Sequence, residues 1–564
     1  MTRYITLLLV LFIFSCKDNP KSEEARPPIS ESETVIDNTK TDDDLSAIST
    51  KDFREFKVLD SKVITKAQIW AEISPQMTDF KESDYNRLKS FILETDIPTL
   101  QKHVFSKTFN YETLVKFYLY RIRKFDREND LSLNSVISIN PNIIEEAKKA
   151  DTAMKHYKNV SVDFFKHTTI GMPILLKDNI NASKMVTTAG AVALKDNVTE
   201  DAFLVKQLKS KGALILGKAN LSEWAYFFCG DCPSGYSAVG GQTLNPYGRR
   251  IIDTGGSSSG SGVSVSANFA AATIGSETSG SILSPASSNS AVGLKPTIGL
   301  VSRTGVVPIS STLDTAGPIT RTVIDNAIVL DAIVGVDNSD SKTINTKTKT
   351  GYYVQNLELA SVKGKRFGAP KRLMEDSLYT NALEVLKQQG AVIIEIEEEK
   401  LGLPNFLRLL NLDMKKDLPA YMEGYANKSI KMRTVEDFMT FNLKDSLISM
   451  PYGQNLFKGI SEDKGDAEFL TRIQDTIKTN GRQYFDNPMR AHNLDGFLSI
   501  NNYHAGFAAG AEYPALTVPM GYQENGRPMG LTFISSRLRE KQLLEWAYVY
   551  EQASKARVAP KDYN

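Results

Sequence analysis

The chain predicts an α/β protein: a large mixed β-sheet core flanked by helices, with a helical insertion late in the sequence. Three observations carry this. Short apolar, β-like runs at 172–176 and 213–216 are each closed by turn residues, and a helical stretch at 202–211 separates them. Alternation of this kind argues for a mixed or parallel sheet with helices on its faces. A charged, Lys- and Glu-rich and mostly helical pattern then runs from 338 to 500, and 511–534 returns to β-like segments, ALTVPMGY and GLTFI. At 564 residues the chain exceeds the ~100–200 of one ordinary domain. Its 41% hydrophobic and 24% charged residues can bury a sizeable core without disulfide staples.

Element by element, Tyr111, Leu114, Val115, Tyr118, Leu119, Ile122 and Phe125 form the apolar stripe of an amphipathic helix, with Arg121, Arg123 and Lys124 off it. A second helix is expected over 141–155. Pro141 suits its first turn and Asn140 its N-cap. From 254 to 290 the composition shifts to Gly, Ser, Ala and Thr, with apolar runs interleaved, which suits close backbone approach and not a linker. No repeat of fixed period is present.

Composition excludes several functions. Lys+Arg 67 against Asp+Glu 66 gives a net charge of +1, so no basic excess favours nucleic acid. Three cysteines rule out a disulfide scaffold, and five histidines limit any histidine-built metal site. At the N-terminus Arg3 precedes an apolar run, 5–14, too short to span a membrane but suited to a signal peptide. It ends in Ile13-Phe14-Ser15-Cys16, which resembles the lipobox of bacterial lipoproteins. That resemblance implies a signal peptide over 1–15, acylation of Cys16, and export to a bacterial membrane, periplasmic or surface-facing. Residues 16–55 are polar and charged and read as a disordered tether. The body, 56–564, is expected to touch the membrane through the lipid alone.

Three familiar patterns are weak. The spacing of 212–218 (GALILGK) matches a phosphate loop, but Ala219 replaces the Ser/Thr that holds Mg²⁺ and the intervening residues are apolar strand. The run 256–260 (GSSSG) matches a nucleophile elbow centred on Ser258, with only His492 and His504 downstream. Cys229 and Cys232 form a lone C-x-x-C, which leaves a local disulfide and two buried thiols both open.

A different set points to chemistry. In GMPILLKDN (171–179) Lys177 ends an apolar strand. In GGSSSGS (255–261) Ser257 sits in a glycine turn, and in GSETSGSI (275–282) Ser281 follows small residues. On these motifs the chain resembles the amidase signature family of serine hydrolases, over roughly residues 57–557. TTAG (187–190), GKANLSE (217–223), GLKP (293–296) and AEYPALTVP (511–519) extend the likeness in the same order. The resemblance implies the family's fold and a Ser-Ser-Lys triad: Lys177 as base, Ser257 as a relay serine on a cis peptide, and Ser281 as the acyl-forming nucleophile. It implies no metal or organic cofactor. Two departures, Ser257-Ser258-Ser259-Gly260 and Glu277-Thr278-Ser279-Gly280-Ser281, are similar to peptide-amidase members more than to tRNA amidotransferases. They suggest peptide C-terminal amides or small acyl or aryl amides as substrates.

The chemistry has its own logic. A serine hydroxyl needs a base, and a lysine serves if its pKa falls from ~10.4 toward neutrality. Desolvation by Ile174, Leu175 and Leu176 pushes it that way. Ser257 can pass the proton as donor and acceptor. Backbone N–H groups of Thr278, Ser279, Gly280 and Ser281 can bind the oxyanion. Asp178 must then point away from Lys177, because a paired carboxylate raises a lysine's pKa. Glu277 reads equally as a loop organiser or a substrate contact. The plainer alternatives are a solvated strand end for Lys177, turn-forming serines, and a helix N-cap at Ser281. Two other classes use the same residues: a non-catalytic binding lipoprotein, and an esterase of the Ser258 elbow.

Overall fold

The computed structural model describes residues 56–563 apart from 128–129, 158–160 and 347–348. The expected signal peptide, the tether and Cys16 lie outside the described residues.

Thirteen strands occur among the described residues: β1 Val136–Ile139, β2 Pro173–Lys177, β3 Leu214–Ala219, β4 Tyr236–Ser237, β5 Gly241–Gln242, β6 Ala272–Glu277, β7 Val292–Lys295, β8 Thr315–Thr320, β9 Arg366–Pro370, β10 Val392–Ile396, β11 Gly496–Ile500, β12 Ala515–Tyr522 and β13 Pro528–Ile534. Eleven of them form one sheet in the order β1-β3-β2-β6-β8-β7-β12-β13-β11-β9-β10, while β4 and β5 pair separately. The sheet is mixed: β2 runs parallel to β3 and β6, and β8 runs antiparallel to β6 and β7. Strands buried on both faces read as unbroken apolar runs, and all five residues of β2 are buried.

The predicted strands extend slightly further than their apolar runs. β2 reaches Lys177 and β3 reaches Ala219, because ladder pairing carries both past the last branched residue (Lys177↔Ala219). The helix Phe203–Ser210 lies between them as expected. The 111–125 stripe becomes the helix Tyr111–Ile122, capped by Asn110, followed by a π-turn Arg123–Arg127. Arg121, placed off the apolar stripe, is fully buried. It donates to Ala267 O at 2.8 Å and Tyr85 Oη at 2.6 Å, the partners a buried guanidinium requires. The second helix is Ile143–Met154 with Asn142 at the N-cap. Asn140 instead accepts from the Asn142 N–H at 3.0 Å, shaping the turn before it.

The small-residue stretch folds into the helix Ser259–Ser266, β6, and the helix Leu283–Ser288. A Cβ at Gly260 would lie 2.5 Å from Asn220 and Ser135 backbone atoms, so only glycine lets the first of these helices approach the strand ends.

The expected insertion 338–500 is corrected. It contributes β9, β10 and β11 to the main sheet, and its helices are Ser377–Gln388 and a layer made of Phe406–Gly424, Val435–Asn442, Ser446–Ser449, Asn455–Glu462 and Ala467–Ala491. Its Lys/Glu-rich composition hid the strands, and β10, the last strand at the sheet's end, buries only Ile396. Phe438 and Phe457 from this layer close over Trp224, with ring centroids 5.0 and 5.4 Å away. The same apolar cluster holds Cys229 and Cys232, joined as a disulfide with Cα atoms 5.9 Å apart. No described helix is long and apolar enough to cross a membrane.

Candidate active site

β2 and β6 are parallel neighbours, so their carboxyl ends reach the same edge of the sheet, where α/β proteins place their ligands. Lys177 is the last residue of β2 and Glu277 the last of β6. Lys177 is fully buried, with Ile174, Leu175 and Leu176 behind it. Its Nζ donates to Ser276 O at 3.1 Å and Ser276 Oγ at 3.0 Å, and lies 2.7 Å from Ser257 Oγ. A neutral amine has two N–H groups and one lone pair. As an ammonium, Nζ donates to Ser257 Oγ as well; in the neutral form the Ser276 oxygens can take both N–H groups, and the lone pair is then free for the Ser257 hydroxyl. Burial brings the Lys177 pKa down to about 7, against the opposing pull of Asp314 and Glu277. The solvated strand-end reading of Lys177 is thereby excluded.

Asp178 points away, as the chemistry requires. Its Oδ1 lies 3.0 Å from Lys218 Nζ, and its Oδ2 accepts from the Thr188 N–H at 3.0 Å and from the Thr188 hydroxyl. Lys218 is the lysine of the phosphate-loop-like spacing, here a buried strand residue.

The Gly256–Ser257 peptide is cis. Ser257 O accepts from Ser222 N–H at 3.0 Å, and the next residue's N–H, that of Ser258, donates to Ser281 O at 3.2 Å. The Gly-Ser loop is thus fastened to the Ser281 turn as well as to Lys177. Ser281 is half-buried while Lys177 and Ser257 are buried, so of the three only Ser281 is partly exposed.

The turn 278–281 joins β6 to the helix Leu283–Ser288. Ser281 is not that helix's cap. Glu277 Oε2 accepts from Ile282 and Leu283 N–H at 2.8 and 3.0 Å, which settles Glu277 as a loop organiser. Thr278 donates its hydroxyl to Asp314 Oδ1 at 2.6 Å. Gly280 has φ +95°, and a Cβ there would meet Asn502 Nδ2 at 3.1 Å. Both conditions favour glycine. Ser279 and Gly280 follow in the same turn, immediately before Ser281.

The elbow reading fails on geometry. Ser258 is fully buried, donates to Ser276 O at 3.0 Å and accepts from Ser276 N–H at 3.2 Å. His504 lies instead between Ser499 Oγ at 2.6 Å and Glu398 Oε1 at 2.8 Å, with burial lowering its pKa, and His492 is the exposed C-cap of the helix Ala467–Ala491.

Four residues at the site escaped the sequence reading. Ser276 and Asn179 (whose Nδ2 donates to Ser276 Oγ at 2.9 Å) sat inside motifs already singled out. Asp314 and Asn502 lie in ordinary loop sequence, and only folding brings them to the turn.

The Amidase family model matches residues 113–455. A probable amidase of Arabidopsis thaliana is 36% identical over 487 residues, 83% of this chain and 92% of that one. The structure of an amidase family protein from Bacillus anthracis superposes with a TM-score of 0.83 at 35% identity, covering 89% of this chain and 100% of that one. Native peptide amidase from Stenotrophomonas maltophilia gives a TM-score of 0.77 at 37% identity, covering 83% and 99%. The family model over residues 113–455, and relatives matched over nearly their whole length, place this chain in the amidase signature family of amide-hydrolysing enzymes.

Proposed function

We propose that the enzyme hydrolyses carboxamides through Ser281, Ser257 and Lys177 by way of an acyl-enzyme. Ser281 Oγ attacks the carbonyl carbon. Its proton passes to Ser257 Oγ, whose own proton moves to the neutral Lys177 amine. The tetrahedral oxyanion is held by N–H groups of the turn Thr278, Ser279, Gly280 and Ser281. The C–N bond breaks as the same relay returns a proton to the departing nitrogen. Water then attacks the ester, again through the relay, and releases the acid. The observation that carries this reading is the 2.7 Å approach of a buried amine, its pKa near neutrality, to Ser257 Oγ.

Peptide C-terminal amides or small acyl or aryl amides are the proposed substrates. The Ser257–Gly260 and Glu277–Ser281 variants support this, together with the 37% identity to native peptide amidase. We further propose that Cys16 carries a lipid anchor on an exported protein, on the strength of the apolar run and the Ile13-Phe14-Ser15-Cys16 sequence.

A fluorophosphonate probe followed by peptide mapping tests the mechanism. Label on Ser281, lost in Ser281→Ala and slowed in Lys177→Ala, is the expected result; label on Ser258 would overturn it. For the anchor, radiolabelled palmitate should be incorporated by the wild type and not by Cys16→Ala. Equal incorporation, or none in either, would remove that part of the proposal.

A further inference from the structure

Asp314 is the residue immediately before β8 and is buried. Its Oδ1 accepts from the Thr278 hydroxyl at 2.6 Å, and its Oδ2 from Ile309 and Ser310 N–H at 2.8 and 2.9 Å. One carboxylate thus ties the first residue of the catalytic turn to the loop 309–310. That loop is in turn held by the cap helix Phe406–Gly424. The Ser310 hydroxyl donates to Asp413, and Ser311 N–H donates to Asp417 at 2.6 Å. With Val306, Pro308, Tyr421 and Tyr425, Asp314 also borders a cavity of about 360 Å³. The carboxyl therefore faces space that solvent or substrate can occupy.

We propose that Asp314 is a positioning residue for the hydrolysis: it holds Thr278, the first residue of the oxyanion turn, in place. This rests on the Ser281 mechanism above. The charged surroundings are few. Lys177 faces Asp314 and Glu277. Asp314 faces Arg303, which is itself bound to Asp340, and Asp413 and Asp417 lie across the loop on the cap helix. Burial holds the Asp314 carboxyl up at about 6, so at neutral pH it is mostly ionised and favours the ammonium form of Lys177. Removing that charge lowers the lysine's pKa. Removing the Thr278 hydroxyl loosens the turn and takes away one hydrogen bond that holds the Asp314 pKa down, so the carboxyl keeps only part of its charge near neutrality.

Variants of the full chain at two positions separate these effects. Asp314→Asn should lower kcat for amide hydrolysis by about tenfold or more, with KM little changed, because an oxyanion contact forms only in the transition state. Its pH–rate midpoint should move to lower pH. Thr278→Val should show a similar loss of kcat with a smaller midpoint shift than Asp314→Asn, and Thr278→Ser should restore the rate. A folded Asp314→Asn enzyme with wild-type kcat and midpoint overturns the inference. If Asp314→Asn does not fold, the Thr278 pair decides: wild-type kcat in Thr278→Val overturns it, and loss with rescue by Ser supports it. Turnover retained by Ser281→Ala sinks the parent mechanism instead, and this inference with it.

Discussion

Lys177 and Lys218 stand on neighbouring parallel strands, both fully buried, and Leu176 pairs with Lys218 in the ladder. Burial lowers the pKa of each. Their company differs. Lys218 has the Asp178 carboxylate at 3.0 Å and donates to Thr187 Oγ1 at 3.0 Å. Lys177 has only serine oxygens within hydrogen-bond reach, and its carboxylates, Asp314 and Glu277, are engaged with Thr278 and with Ile282 and Leu283. A buried lysine beside a carboxylate is a structural ion pair. A buried lysine among hydroxyls has no anion to hold its proton, which suits the base proposed for Lys177. The lesson is that desolvation is common to both, and the nearest anion decides which one can accept a proton.

Several substitutions break or sharpen this contrast. The largest effect is expected from Lys177→Ala, which removes the base and should cut turnover by about 10²–10⁴-fold with the fold intact by circular dichroism. Lys218→Met should act on stability instead. It strands Asp178 in the interior and should cost about 3–5 kcal/mol in denaturant unfolding, much of it regained by adding Asp178→Asn. A variant that gives Lys177 the company of Lys218 comes next. The wild-type rate should rise with pH through about 7, because the free base is the active form of a lysine whose pKa burial has lowered. Ser276→Asp should shift that midpoint up by about 1–3 pH units. An unmoved midpoint would mean that another group governs the profile. The smallest effect belongs to Asn179→Leu. Loss of its hydrogen bond to Ser276 Oγ should lower the rate by less than about tenfold, in line with ~1 kcal/mol for one neutral hydrogen bond.

The site was readable where chemistry and local sequence coincide. Lys177 ends an unbroken apolar run, so a desolvated amine and a solvated strand end both fit the residues before it, and only the fold shows it buried. The glycine and serine turns announced themselves by composition. Asp178 was harder: sequence could say only that it must not pair with Lys177, and the partner that removes it, Lys218, is 40 positions away. Ser281 and Glu277 were ambiguous because a serine before an apolar residue is equally a helix cap. Only the hydrogen bonds from Ile282 and Leu283 to Glu277 assign the cap elsewhere. Arg121 was misplaced for a related reason. Periodicity assigns a charged residue to solvent, yet Ala267 O and Tyr85 Oη stand ready to receive it inside.

By itself the sequence determined the α/β class, the apolar strand that ends in Lys177, and the small residues of the Ser257 and Ser281 turns, because these follow from hydrophobic runs and from the size of adjacent side chains. Tertiary structure decided the order of the eleven strands, the membership of β9–β11 in the sheet, the pairing of Asp178 with Lys218, and the arrival of Asp314 at Thr278. Those depend on contacts between residues far apart in the chain, whose geometry no local pattern encodes.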